Sequence, residues 1–218
     1  MIKHLISAAV AVTMATSAFA GTSSFDSGAE FSGTQGVSGW TYGYYSTAGD
    51  ANSFIEFANF DSTSTPPWWE EVAVQAPWTL MWDTGAHPSN FGGADHWAVR
   101  RWTSSVAGAL NLGVQFQAEN YGAAKVHVLV DGSEIYSADT SLTFQHWAPN
   151  VATLINPGSV VDFAINANGS DNGDATRFTT QGMVIPLVTP VPEPESLVMM
   201  LAGLGALAAT TRRKALRR

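Results

Sequence analysis

From residue 110 apolar and polar positions alternate: Leu110, Leu112, Val114 and Phe116 are separated by Asn111, Gly113 and Gln115, with Gln117 following. Successive side chains of an extended chain point to opposite faces, so this period predicts a strand with one buried face. Val126, Val128 and Val130 repeat the pattern, interleaved with Lys125, His127 and Leu129. Asp131-Gly132 predicts a tight turn into a strand at Glu134-Ile135-Tyr136, because glycine reaches positive φ without a Cβ clash. After Pro157-Gly158, Val161, Phe163 and Ile165 alternate with Asp162, Ala164 and Asn166, and Met183-Val184-Ile185 closes the series. Earlier candidates are Phe54–Phe60, Thr79–Trp82 and His96–Thr103. Helical periodicity is nearly absent and no internal repeat is visible. Eight or nine short strands over about 165 residues predict an all-β domain, a two-sheet antiparallel β-sandwich or jelly roll.

The two ends read differently. Residues 1–20 join Lys3, an apolar stretch from Leu5 to Met14, and Ser17-Ala18-Phe19-Ala20. A basic start, a short apolar middle and small residues at Ala18 and Ala20 predict a signal peptide cut after Ala20 by signal peptidase. This sets a domain at 21–188 and a tail at 189–218. In the tail, Pro190-Val191-Pro192-Glu193-Pro194-Glu195 is stiff and extended. The 13 apolar residues Leu197–Ala209 follow, and five of the last seven residues are basic. Such a helix rises about 20 Å against a hydrocarbon layer of roughly 30 Å, which predicts a short transmembrane segment inserted transiently in the inner membrane. Its basic end stays cytoplasmic and holds the domain on the outer side.

Val191-Pro192-Glu193-Pro194, an apolar segment and an Arg-rich terminus together resemble the PEP-CTERM sorting signal of exopolysaccharide-producing Gram-negative bacteria. The resemblance implies recognition of Pro192, Glu193 and Pro194 by a membrane exosortase that removes the tail. It places the product at the cell surface or in the extracellular matrix.

Composition narrows the chemistry. There is no cysteine, which removes disulfides, thiolate metal sites and a cysteine nucleophile together. Between residues 21 and 190 only Arg100, Arg101, Lys125 and Arg177 oppose sixteen acids, a net charge of −12. So acidic a body repels phosphates, and nucleic acid is excluded as a partner.

Several short elements form a second resemblance: Gln35–Tyr44, His87-Pro88, Ala98–Trp102 leading to Ala107-Gly108, Val130-Asp131-Gly132 and Asp174-Ala175-Thr176. As a set they are similar to galactose-binding-like jelly-roll modules of bacterial exported proteins. What this implies is glycan binding or adhesion without catalysis, with exopolysaccharide as a partner.

All eight tryptophans lie in the body, and Trp68, Trp69, Trp78 and Trp82 are clustered. Flat indoles suit the apolar faces of sugar rings, although core packing is the commoner use of any one indole. Strand alternation buries one of Trp68 and Trp69 and presents the other. Arg100 and Arg101 likewise face opposite ways, either into a structural ion pair or, for Arg100, onto a sugar hydroxyl or uronate. Asn168, Asp171 and Asp174 collect oxygens in a glycine-bearing loop suited to a structural Ca2+ or to ordinary turns. The histidines share no metal spacing, and Glu70 and Glu71 project apart rather than onto one bond. The expectation is therefore a non-enzymatic glycan-binding or adhesion protein with no other cofactor. Its rivals are a structural matrix protein without a ligand and a polysaccharide-processing enzyme.

Overall fold

The computed structural model describes residues 22–149, 152–187, 200 and 202–204. Strands are numbered in chain order. One sheet has six, in the spatial order β11 (Ser133–Asp139), β10 (Lys125–Val130), β14 (Val160–Asn166), β8 (Trp97–Thr103), β2 (Trp40–Tyr45) and β3 (Phe54–Glu56). The other has nine. Its main path is β12 (Gln145–Trp147), β9 (Gly108–Ala118), β15 (Thr176–Ile185), β7 (Gly85–His87), β6 (Leu80–Trp82), β5 (Trp68–Glu70) and β4 (Asn59–Asp61). There β1 (Ser23–Asp26) pairs with β15 and β13 (Thr153–Ile155) with β9, and all these pairings are antiparallel.

The expected two-sheet antiparallel sandwich is what the chain forms, with fifteen strands among the described residues rather than eight or nine. The long alternating runs behave as their period demands. Leu110, Leu112, Val114 and Phe116 of β9 face Val126, Val128, Val130, Val161, Phe163 and Ile165 of the other sheet across one core. Phe54–Phe60 is not one strand. It divides into β3 and β4 in different sheets, and buried Phe57 anchors the crossing. A second cluster of Tyr45, Trp97, Val99, Leu129 and Ala164 lies on the outer side of the six-stranded sheet, packed by Ala51 and Phe54.

Described residues up to Pro186 belong to one compact unit, and Leu187 onward to another. In the latter, Met200 and residues 202–204 are helical. Among the described residues no helix is long and apolar enough to cross a membrane. Ala18, Ala20, Pro192, Glu193 and Pro194 lie outside the described residues, as does most of Leu197–Ala209.

Candidate functional site

The outer face of the nine-stranded sheet carries a row of directly opposed residues. Gln117 faces Arg177, Arg177 faces Gly85, Gly85 faces Trp82, Trp82 faces Trp68, and Trp68 faces Asp61. Opposed residues project from the same face, so the register lines up side chains from six strands over about 24 Å. Gly85 makes room in this row. A Cβ there would lie 2.5 Å from Cζ2 of Trp82 and 2.6 Å from the Thr176 carbonyl oxygen.

Trp68 and Trp82, both half-buried, line a cleft of about 600 Å³ with Pro66, Phe144, Gln115 and Thr179. The Trp68 indole N–H donates to Glu70 Oε2 at 3.3 Å, which orients the ring. Arg177 Nε donates to Glu119 Oε1 at 3.1 Å on the same wall, and the Arg177 side chain is 63% exposed. At the far end of the row, the hydroxyls of Ser64 and Thr63 hold the exposed Asp61 carboxyl down at about 2. The site therefore offers two apolar ring faces beside a guanidinium, a carboxylate, an amide and a hydroxyl. That mixture suits a ligand whose faces are apolar and whose rim is hydroxylated.

Of the three residues singled out as glycan contacts, Trp68, Trp69 and Arg100, Trp68 is in this cleft, together with Trp82 of the same indole cluster. Trp69 points to the other side of β5, where it is buried, stacks on Tyr42 at 6.0 Å and donates to the Ser32 carbonyl at 2.8 Å. Trp78, 47% exposed, lines an adjoining cleft of about 430 Å³ with His87, Asp171, Asn172 and Gly173, and Leu80 borders both clefts. Trp40, Trp97 and Trp102 are buried, and Trp147 stacks on Tyr136 at 4.2 Å.

Arg100 does not contact solvent, which corrects its assignment as a glycan residue. It is fully buried on the core side of β8, and its guanidinium donates to the carbonyls of Ser27, Trp82 and Asp83 at 2.6–3.2 Å. Desolvation lowers its pKa to about 10, still charged at neutral pH. A buried arginine was expected to need a carboxylate, but here backbone oxygens take that place. The ion pair belongs instead to Arg101, bidentate on buried Asp162 at 2.7 and 2.8 Å.

The three expected calcium ligands sit in different surroundings. Asp171 accepts from the Ser89 hydroxyl and the Asn90 N–H, and Asn168 is exposed. Among the described residues no three His, Asp or Glu side chains group around a common point. Asp174 differs from both. It is 1% exposed and has no side-chain hydrogen-bond partner, and burial, with the Asp171 charge nearby, pushes its carboxyl up to about 6 against the lowering effect of the Ala123 backbone N–H. Glu70 and Glu71 serve structural roles: Glu70 accepts from Trp68 and the Val74 N–H, while Glu71 accepts from Thr79 and meets His96 at 2.9 Å.

Arg177, Gln115 and Thr179 were not singled out from the sequence. The polar partners of the β9 alternation were the available signal, since a strand with one buried face must present Gln115 and Gln117 on the other.

A family model described as the PEP-CTERM protein-sorting motif matches residues 190–214. No curated protein matches the chain. Among solved structures, a family 35 carbohydrate binding module from Clostridium thermocellum is 15% identical, with 42% of this chain and 78% of that one covered and a TM-score of 0.28. For CBM35 from Paenibacillus barcinonensis the values are 11%, 72%, 96% and 0.30. A Podospora anserina GH26-CBM35 beta-(1,4)-mannanase is 12% identical over 79% of this chain but only 29% of that enzyme, at a TM-score of 0.31. At TM-scores of about 0.3 these likenesses carry no argument about ligand or activity, and the fold stands on its own strand order. The matched motif is firmer: the chain carries a PEP-CTERM sorting signal and is an exported protein of the exosortase pathway.

Proposed function

We propose that the exported domain is a non-catalytic glycan-binding module of the cell surface or extracellular matrix, and that its binding face is the outer face of the nine-stranded sheet. On this reading signal peptidase cuts after Ala20, and the tail rests briefly in the inner membrane before exosortase removes it. The observation that carries the binding role is the opposed pair Trp68 and Trp82, open on one face beside Arg177 and Gln117. The two indoles stack on sugar rings and the polar groups bond the hydroxyls.

Affinity electrophoresis through gels containing the host's exopolysaccharide tests this. The wild type is expected to be retarded, and Trp68→Ala to lose at least about tenfold in affinity with its melting temperature nearly unchanged. Equal mobility with and without polysaccharide would favour the ligand-free matrix protein. Release of shortened chains would favour an enzyme.

A further inference from the structure

The cleft beside the indoles continues past Arg177. Its residues Gln115 and Thr179 also line a small depression with Gly113, His146 and Gln181. Gly113 and Gln181 in turn line a cleft of about 580 Å³ that reaches Asn111, Met183, Asp26 and Glu30. The register explains this continuity. Down β9 and β15 the outward pairs are Gln117 with Arg177, Gln115 with Thr179, Gly113 with Gln181 and Asn111 with Met183. His146 of β12 flanks Gln115, and its Nε2 would sit 3.3 Å from a Cβ at Gly113, the low point of the floor. From Asn111 to Gln117 this floor is about 20 Å long, the length of about four pyranose rings in an extended chain.

We propose, resting on the glycan reading above, that this trough holds an interior stretch of a linear, uncharged polysaccharide, with about four sugars along β9 and β15 besides those on Trp68 and Trp82. The floor supplies repeated hydroxyl-binding groups. A primary amide such as that of Asn111 or Gln115 carries donors and an acceptor side by side, which matches a pair of neighbouring hydroxyls, and Gln181, whose Nε2 gives one N–H to Asp26 Oδ2 at 2.7 Å, keeps its second N–H and its Oε1 for the same use. Repetition of such groups along one direction suits a repeating ligand more than a single sugar.

Charge decides against a polyanion. Asp26, Glu30 and Glu119 line the trough, and the cation among its lining residues is Arg177, already paired with Glu119. The Ala29 backbone N–H helps hold the Asp26 carboxyl below its ordinary value, so it is ionised at neutral pH. A chain of uronates would meet net negative charge here, on a body whose net charge is −12. A neutral chain meets no such penalty.

Calorimetric titration of the full chain with neutral gluco-, manno- and galacto-oligosaccharides of two to eight residues, and with oligogalacturonates of the same lengths, tests this. In the neutral series that binds, affinity is expected to rise about threefold per sugar and to level off at about five or six residues. Oligogalacturonates bind at least about tenfold more weakly. Gln181→Ala weakens the hexamer about fivefold and leaves the dimer unchanged, whereas Trp68→Ala weakens every length. Saturation at two or three sugars, equal binding of uronates, or a Gln181→Ala effect independent of length would overturn the trough and leave the indole site standing. Failure of every oligomer to bind would instead overturn the glycan reading itself.

Discussion

On the outer face of the six-stranded sheet, Trp97 stacks on His127 at 4.1 Å, and Arg101 grips Asp162 while lying 4.0 Å over Phe54. Tyr45 donates to the same carboxylate at 2.6 Å, and His127 Nδ1 meets Glu134 at 2.5 Å. Burial, with Asp162 beside it, pushes the Tyr45 phenol well above its ordinary range. On the outer face of the nine-stranded sheet, Trp68, Trp82, Arg177 and Glu119 are the same kinds of residue left open. The difference is a cover. Arg101 also donates to the Ala51 carbonyl at 3.1 Å, and Ala51 and Phe54 pack over Tyr45, Trp97 and Val99. An indole beside an arginine therefore stays available as a binding group only where the rest of the chain has not already enclosed it.

Removing the keystone of the covered face should have the largest effect. Asp162→Ala leaves Arg101 and the Tyr45 hydroxyl without their shared acceptor, and is expected to lower unfolding free energy by about 3–5 kcal/mol. Urea denaturation measures this. A loss below about 1 kcal/mol would mean that the covered face is no more committed than the open one.

Asp174 lies between these extremes, buried with no cation beside it. Its carboxyl is raised to about 6 by burial, above the ordinary 3.8, so the folded state keeps this proton where the unfolded chain has lost it. Stability from this group is fully present below the unfolded value, falls as pH rises from about 4 to about 6, and is gone above that range. Asp174→Asn is expected to stabilise the domain at pH 7 by on the order of 1–3 kcal/mol, with a flatter pH dependence between 4 and 6. Thermal melts of both proteins across that range test it. A melting temperature raised by millimolar calcium in the wild type alone would instead place a metal on Asp174.

The smallest effect on stability belongs to the open face. Arg177→Ala breaks an exposed ion pair and should change unfolding free energy by less than about 1 kcal/mol. Its affinity for a bound glycan should nevertheless fall several-fold, as read by the same electrophoresis. Equal losses in stability and binding would erase the contrast between the two faces.

The sheets were legible in the sequence where strands were long and their buried positions apolar. β9 shows an unbroken alternation over eleven residues, whereas β10 and β14 keep their core-facing valines, Phe163 and Ile165 at every second position but also bury Leu129 and Ala164 on the other face. β5, β7, β12 and β13 have three residues each, too few to display a period, and their existence depends on partners distant in sequence. β15 was half hidden for another reason. Thr176 and Thr180 occupy inward positions beside Phe178, so the apolar alternation that would have revealed Arg177, Thr179 and Gln181 as outward residues is diluted. Alternation foretold that Trp68 and Trp69, and likewise Arg100 and Arg101, would part company. Which member faced the core was fixed by register against neighbouring strands, and no local pattern carries that information.

β15 ends at Ile185, a few residues before the sorting motif that begins at 190. Each of its ten residues is matched to one of β9, and Gln181, Gly182, Met183 and Val184 also to β1. Hydrogen bonds of an antiparallel pair run perpendicular to the strands. Tension applied through the tail along this strand would thus load the whole ladder in shear, all rungs together, instead of peeling them one at a time. The strand that lines the trough is thus also placed to resist being drawn out by its own handle.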